Sequence, residues 1–135
     1  MIPIKDVMTR NVISIRPDAP IYEAIELLMR HKVSGLPVVD EDNYVVGVLS
    51  ERDMLEILID PRLDEKKLVS DYMNTTVTSF TEDGDAVEIC KFFIKNNYRR
   101  VPIVRDGKLV GIVSRRDIVA IIHEAQSKIS SFRFA

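Results

Sequence analysis

The stretch Asp6-Val-Met-Thr9 returns 65 residues later as Asp71-Tyr-Met-Asn74, and the same offset carries Val12 onto Val77, Ser14 onto Ser79, Asp18 onto Asp83, Glu23 onto Glu88 and Pro37 onto Pro102. After one residue is skipped near Asp42 the offset becomes 64, and Gly47, Ser50, Arg52 and Asp53 fall on Gly111, Ser114, Arg116 and Asp117. A repeat of this length constrains the fold more than any single motif, because each copy must form the same supersecondary unit and neighbouring copies must share a core. Two copies fill the chain of 135 residues, which can bury roughly two-thirds of its unfolded surface and needs no staples to fold.

Each copy reads in the same order. Asp18-Ala-Pro20 is expected to open a helix with Pro in its first turn, followed by apolar residues at Ile21, Ala24, Ile25, Leu28 and Met29. The second copy has Ala86, Ile89, Cys90, Phe93 and Ile94 at that spacing, opened by Asp85-x-x-Glu88 as a capping box. Cys90 stands where Ile25 stands, so it reads as a small buried hydrophobe and not as a nucleophile. Two short apolar runs follow each helix: Leu36-Pro-Val-Val39 with Tyr44-Val-Val-Gly-Val-Leu49, and Val101-Pro-Ile-Val104 with Leu109-Val-Gly-Ile-Val113. Between the second pair lies Arg105-Asp106-Gly107-Lys108, whose Asp-Gly accepts the positive φ of a tight hairpin. A short strand is expected before each helix, at Val12-Ile-Ser-Ile15 and Val77-Thr-Ser-Phe80, and a second helix after each hairpin.

The sequence therefore divides into a first repeat at 4–60, a charged connector at 61–68 that begins with a helix-breaking Pro, a second repeat at 69–124 and a C-terminal tail at 125–135. The fold class is α/β in the mixed α+β sense, two β-α-β-β-α repeats packed about a pseudo-twofold axis as one module. The tail carries Phe132 and Phe134, which either dock on a neighbouring subunit or fray.

Composition excludes several classes of function. With 46% hydrophobic and 30% charged residues the chain is an ordinary globular protein. Lys plus Arg number 19 against 21 Asp plus Glu, a net charge of -2, so no global field gathers nucleic acid. A local basic patch at Tyr98-Arg99-Arg100 and Arg115-Arg116 is all that would favour it. The one cysteine forms no internal disulfide, Met1-Ile-Pro-Ile-Lys5 lacks the apolar core of a secretory signal, and no run reaches the ~18 apolar residues of a membrane span. The expectation is a cytoplasmic protein with no membrane contact. His31 and His123 lie apart, with no Cys or acid cluster at metal-ligand spacing and no nucleophile-base motif, so no metal, no catalytic residue and no enzyme activity is expected.

The repeated Ser-x-x-Asp carries the chemistry. Ser50 with Asp53, and Ser114 with Asp117, each follow a glycine-containing apolar run and each suit the start of a helix. Capping alone accounts for such a pair. The same helix start also offers free amides to a phosphate, and an Asp carboxylate suits the cis-diol of a ribose.

These residues resemble the CBS domain, the regulatory repeat named after cystathionine beta-synthase, in its tandem form. The resemblance rests on Val7-Met8-Thr9 and Tyr72-Met73-Asn74, on Gly35-Leu-Pro-Val-Val39 and Arg100-Val-Pro-Ile-Val104, and on Val46-Gly-Val-Leu-Ser-Glu-Arg-Asp53 and Val110-Gly-Ile-Val-Ser-Arg-Arg-Asp117. It covers the chain from about Ile4 to Ile122, and no attached enzyme or transporter domain is visible within it. Each motif alone is unspecific, whereas the doubled set is specific.

The resemblance implies a CBS pair that commonly dimerises. It also implies clefts between the repeats that bind AMP, ADP, ATP or S-adenosylmethionine, and control of a separate enzyme or transporter. It places ligand phosphates near the residues before the Pro-containing strand, where Tyr98-Arg99-Arg100 replaces Val33-Ser34-Gly35. Arg100, and next Arg99, are the phosphate candidates, because the planar fork of Arg holds oxyanions bidentately. The base would lie near Val77, Thr78, Tyr98 and Val101 in the second repeat and near Val12, Ile13, Val33 and Leu36 in the first. Arg52 and Arg116 are expected to face solvent or a partner module. No cofactor is expected beyond an adenine nucleotide as regulatory ligand. If a single cleft binds, the expected one is at Asp117, with Ser114 and Tyr98-Arg99-Arg100 beside it. The competing reading is a structural homodimerisation module whose clefts are empty.

Overall fold

The computed structural model describes residues 1–60 and 67–134, with side chains to residue 127, so positions 61–66 of the expected connector lie outside the described residues. Helix α1 spans Ile21–His31 and buries Ile21, Ala24 and Leu28. Pro20 is its extended N-cap rather than a first-turn residue, and Lys32 ends it in the left-handed conformation at φ 53°. In the first repeat, strands β1 (Gly35–Val39) and β2 (Val45–Ser50) form an antiparallel hairpin that leads into helix α2 (Glu51–Ile59).

The second repeat repeats the plan. Strand β3 (Phe80–Thr81) precedes helix α3 (Ala86–Lys95), which buries Ala86, Ile89 and Phe93. Strands β4 (Arg100–Arg105) and β5 (Lys108–Ser114) form the hairpin, and helix α4 (Arg115–Phe134) follows. Asp85 caps α3 by accepting from the Val87 amide and also accepts from the Ile2 amide, so its second partner comes from the N-terminus and not from Glu88. Cys90 is half-buried at the margin of the core. The expected C-terminal tail continues the helix, since α4 runs to Phe134.

The two hairpins differ by the residue skipped in the repeat. Asp106 and Gly107 both have positive φ, 52° and 81°, and close a two-residue turn between the paired Arg105 and Lys108. The first hairpin needs the longer loop 40–44, where the Asp40 carboxylate accepts from the Asp42 and Tyr44 amides and Asn43 takes φ 68°. The two turns meet: the Asn43 side-chain amide donates to the Leu109 carbonyl at 2.9 Å, and Tyr44 bridges to Lys108.

The expected strands Val12–Ile15 and Val77–Phe80 are far shorter. The first is a single parallel bridge, Ile15 to Val38, and the second is Phe80–Thr81 beside β4. The cause is an exchange of leading segments. Thr9 pairs with Ile112 of β5 and Asn74 pairs with Val48 of β2, while Pro3 pairs with Asp85 and Leu68 with Pro20. Residues 10–14 and 75–79 are therefore spent crossing from the other repeat's sheet to their own. Ile4 and Met8 lie in one core with Ala86, Ile89, Phe93, Val101, Ile103 and Val113, and Val69 lies in the other with Ile15, Ala24, Leu28, Leu36 and Leu49. Neither repeat completes its core without the start of the other, which makes the pair one unit with a pseudo-twofold relation. Among the described residues no helix is long and apolar enough to cross a membrane.

Candidate functional site

The helix starts are built alike. Ser50 caps α2 by accepting from the Asp53 amide at 3.3 Å, and Asp53 Oδ2 accepts in return from the Ser50 amide at 2.8 Å and from the Ser50 hydroxyl at 2.9 Å. At α4 the Asp117 amide donates to Ser114 Oγ at 3.1 Å and the Ser114 amide donates to Asp117 Oδ2 at 2.8 Å. The first helical amide also has a matching partner in each copy, Glu51 donating to the Ser34 carbonyl and Arg115 to the Arg99 carbonyl, both at 2.9 Å. In both copies a single carboxylate oxygen makes the capping bonds, which leaves Oδ1 for another partner.

A cavity of about 680 Å³ opens between the repeats, within the range that small-molecule sites occupy. The first repeat contributes Gly35 to Pro37, Val48 to Ser50 and the start of α2 through Asp53, and the second contributes Asn97, Tyr98, Arg99, Arg100, Pro102 and Ile112, with Asn74 at the crossing. Of the sequence candidates, Ser50, Asp53, Leu36, Tyr98, Arg99 and Arg100 line it. This grouping differs from the expected one, which placed Tyr98-Arg99-Arg100 with Ser114 and Asp117.

The other candidates lie elsewhere. Ser114 and Asp117 are half-buried at the start of α4, outside the cavity wall. Val101 is inside the second core. Ile13 and Val33 pack against the first core, Val12 and Val77 are half-buried, and Thr78 is exposed; none of the five lines the cavity. Arg52 is exposed, as expected, and stands on the cavity wall. Sequence reasoning missed Asn74 and Asn97. Asn74 could have been found only from its place beside Met73 in a segment that crosses between repeats, and Asn97 from its position next to Tyr98.

Two arginines are held differently. Arg115 donates from Nε to the Tyr98 carbonyl at 2.7 Å and from Nη2 to the Asn96 carbonyl at 3.3 Å, so it braces the loop that carries Tyr98. The Tyr98 ring is stacked on Phe92 with centroids 5.5 Å apart, which fixes one face of the ring against the protein. Arg100 by contrast has a buried Nε with no hydrogen-bond partner. Burial pulls its guanidinium below the ordinary arginine pKa, while the carboxylates of Asp117 and then Glu51 oppose that shift. A buried unpaired donor costs free energy, about 1–3 kcal/mol. Among the described residues no group of three or more His, Cys, Asp or Glu side chains is placed to hold a metal ion.

Two repeats with exchanged leading segments, capped Ser-x-x-Asp helix starts and an interrepeat cavity define a tandem α+β module. A profile of the CBS domain matches residues 4–60 and 69–124, and the chain belongs to the CBS domain family. Protein MJ1225 of Methanocaldococcus jannaschii is 32% identical over 120 residues, which cover 89% of this chain and 42% of that protein. The chain thus spans less than half the length of this relative. The structure of CBSX2 from Arabidopsis thaliana in complex with AMP superimposes with a TM-score of 0.85 at 28% identity, over 93% of this chain and 99% of that one. The CBS domain pair of protein MJ0100, in complex with 5′-methylthioadenosine and S-adenosyl-L-methionine, gives a TM-score of 0.80 at 27% identity, over 91% and 97%.

Proposed function

We propose that this protein is a regulatory CBS pair that binds an adenosine-containing ligand between its repeats and signals by a change in the association of two copies or in contact with a separate enzyme or transporter. The observation that carries this reading is the cavity that joins Ser50 and Asp53 to Tyr98, Arg99 and Arg100, with a buried and unpartnered Arg100 Nε at its wall. Asp53 Oδ1 suits a ribose diol, the positive end of α2 suits a phosphate, and Leu36, Pro37 and Val48 offer apolar surface to a base. Relatives of the same fold are held in structures with AMP and with S-adenosylmethionine, which supports the ligand class.

A ligand shifts an equilibrium only by its differential affinity for the two states, so regulation requires the cavity to differ between them. The test is a calorimetric titration of the purified chain with AMP, ADP, ATP and S-adenosylmethionine, together with thermal unfolding at saturation. Binding at 100 times Kd stabilises the fold by about 2.7 kcal/mol. No heat and no shift with any of the four at millimolar concentration would sink the proposal.

A further inference from the structure

The loops that lead into β1 and β4 leave their helices in different ways. After α1, Lys32 turns left-handed at φ 53°, and the amides of Lys32 and Val33 both donate to the Leu28 carbonyl, so this loop closes on the helix it leaves. After α3 the chain makes no such turn. Asn96 is extended at φ -127°, and its amide and its side-chain Nδ2 both donate to the Phe92 carbonyl, at 2.9 and 3.1 Å. The carbonyls of Asn96 and Tyr98 are taken instead by one side chain from outside the loop, the Arg115 guanidinium, at 3.3 and 2.7 Å. Arg115 is the first residue of α4, and its repeat partner at the start of α2 is Glu51, an acid with no donor to offer a carbonyl. The backbone bonds at this position match in the two repeats, Glu51 to Ser34 and Arg115 to Arg99, so the guanidinium bonds are what the second repeat adds. Asn97, Tyr98 and Arg99 line the cavity, and Arg115 stands outside it.

We propose that Arg115 is a positioning residue for the cavity: from behind its wall, the guanidinium holds the segment 96–99 in the conformation that receives an adenosine-containing ligand. The Tyr98 ring is pinned by its stack on Phe92 and the Tyr98 carbonyl by Arg115, so side chain and backbone are fixed from separate elements, α3 and α4. With the guanidinium removed, the segment samples other arrangements, and apparent affinity falls by the fraction of chains whose wall is in place. This inference rests on the nucleotide reading above and adds to it a determinant of affinity that lies off the cavity wall.

The experiment is titration calorimetry of the full chain with AMP and with adenosine, for the wild type, Arg115→Met, Arg115→Lys and Arg116→Met. Arg115→Met should weaken both compounds by the same factor, about five- to tenfold, because the wall serves nucleoside and nucleotide alike. Arg115→Lys keeps the cation but cannot fork across two carbonyls, so its loss should be about two- to fourfold. Arg116→Met removes the same charge one residue further on, at an exposed position, and should bind within about twofold of the wild type. Thermal unfolding without ligand should place Arg115→Met within about 4 °C of the wild type. If it melts lower than that, Arg115→Lys carries the test on the same terms. A loss confined to AMP would make Arg115 a direct phosphate ligand, and equal losses in Arg115→Met and Arg116→Met would reduce it to a distant charge. Either result overturns the positioning role, as does wild-type affinity in Arg115→Met, and all three leave the nucleotide reading standing. If the wild type binds neither compound, that reading fails and this inference goes with it.

Discussion

Met8 lies across Gly111 so closely that a Cβ on the glycine would stand 2.5 Å from the methionine sulfur and 3.1 Å from the Thr9 carbonyl oxygen. Met73 lies across Gly47 in the same way, at 2.9 Å, with the Asn74 carbonyl oxygen at 3.1 Å. The glycine of each apolar run thus marks the crossing of the other repeat's leading segment. Gly111→Val is expected to destabilise the fold by about 1–3 kcal/mol through overpacking, read by urea unfolding. In a double-mutant cycle with Met8→Ala the two costs should fail to add by at least ~0.5 kcal/mol, whereas additive costs would show that the crossing is not what the glycine serves.

Asp53 and Asp117 do the same structural work and are expected to part in function. Replacing either by Ala should cost about 1 kcal/mol of stability through loss of the reciprocal cap. Only Asp53→Ala should abolish the rise in melting temperature caused by AMP, because the cavity opens at Ser50 and Asp53. A ligand response lost in Asp117→Ala and kept in Asp53→Ala would put the ligand at the other helix start, and stability loss without any change in ligand response would leave capping as the whole role of both.

Features that rest on neighbours in sequence were readable from it: the Asp106-Gly107 turn, the paired Ser-Asp caps, and the buried helix positions Ile21, Ala24, Leu28, Ala86, Ile89 and Phe93. Met29 and Ile94 belong to the same stripes by spacing, yet they are 75% and 79% exposed. Periodicity locates the middle of a stripe, while its width is decided by how far the covering sheet extends, and these sheets have two and three strands. The exchange of leading segments left no local mark, since Thr9 can pair with β2 or with β5 on equal chemistry and only chain path selects Ile112. The place of Tyr98-Arg99-Arg100 on a cavity wall with the cap of α2 has the same source, since the segment lies next to β4 in sequence and only the packing of the two repeats brings it beside Ser50 and Asp53.

Among the described residues Glu82 is the one buried charged residue, 8% exposed, and its carboxylate, just past β3, is bound to Nε of Arg105 at the end of β4. That bond holds its pKa below the ordinary value, helped by the charges of Arg105, Arg10 and Lys5 against the opposing effect of burial. Asp85 is lowered too, by the amides of Val87 and Ile2. A carboxylate with a depressed folded pKa contributes stability that is fully present above its unfolded pKa, near 4, and is lost as pH falls through the folded value. Unfolding free energy should therefore be flat from pH 7 to about 5 and decline below that. Glu82→Gln should flatten the decline, as measured by denaturant titrations at stepped pH, and an unchanged acid limb would remove Glu82 from the account.

The helices that follow the two hairpins carry a matched apolar surface. Leu55, Leu58 and Ile59 share one face of α2, and Val119 and Ile122, the repeat partners of Leu55 and Leu58, share one face of α4; all five are exposed, Leu58 by 83%. A contiguous apolar surface of this kind is usually covered in solution, and two pseudo-equivalent copies on one chain suit a second copy of the same chain, which would meet both. The proposed homodimer is therefore expected to pack through α2 and α4. Light scattering should give twice the chain mass for the wild type. Leu58→Glu should raise the dimer dissociation constant by at least about tenfold while leaving monomer stability within about 0.5 kcal/mol, because an exposed position makes few contacts in the monomer. A monomeric wild type, or a dimer indifferent to the substitution, would move the association surface away from these helices and leave ligand-dependent signalling to a contact with a separate protein.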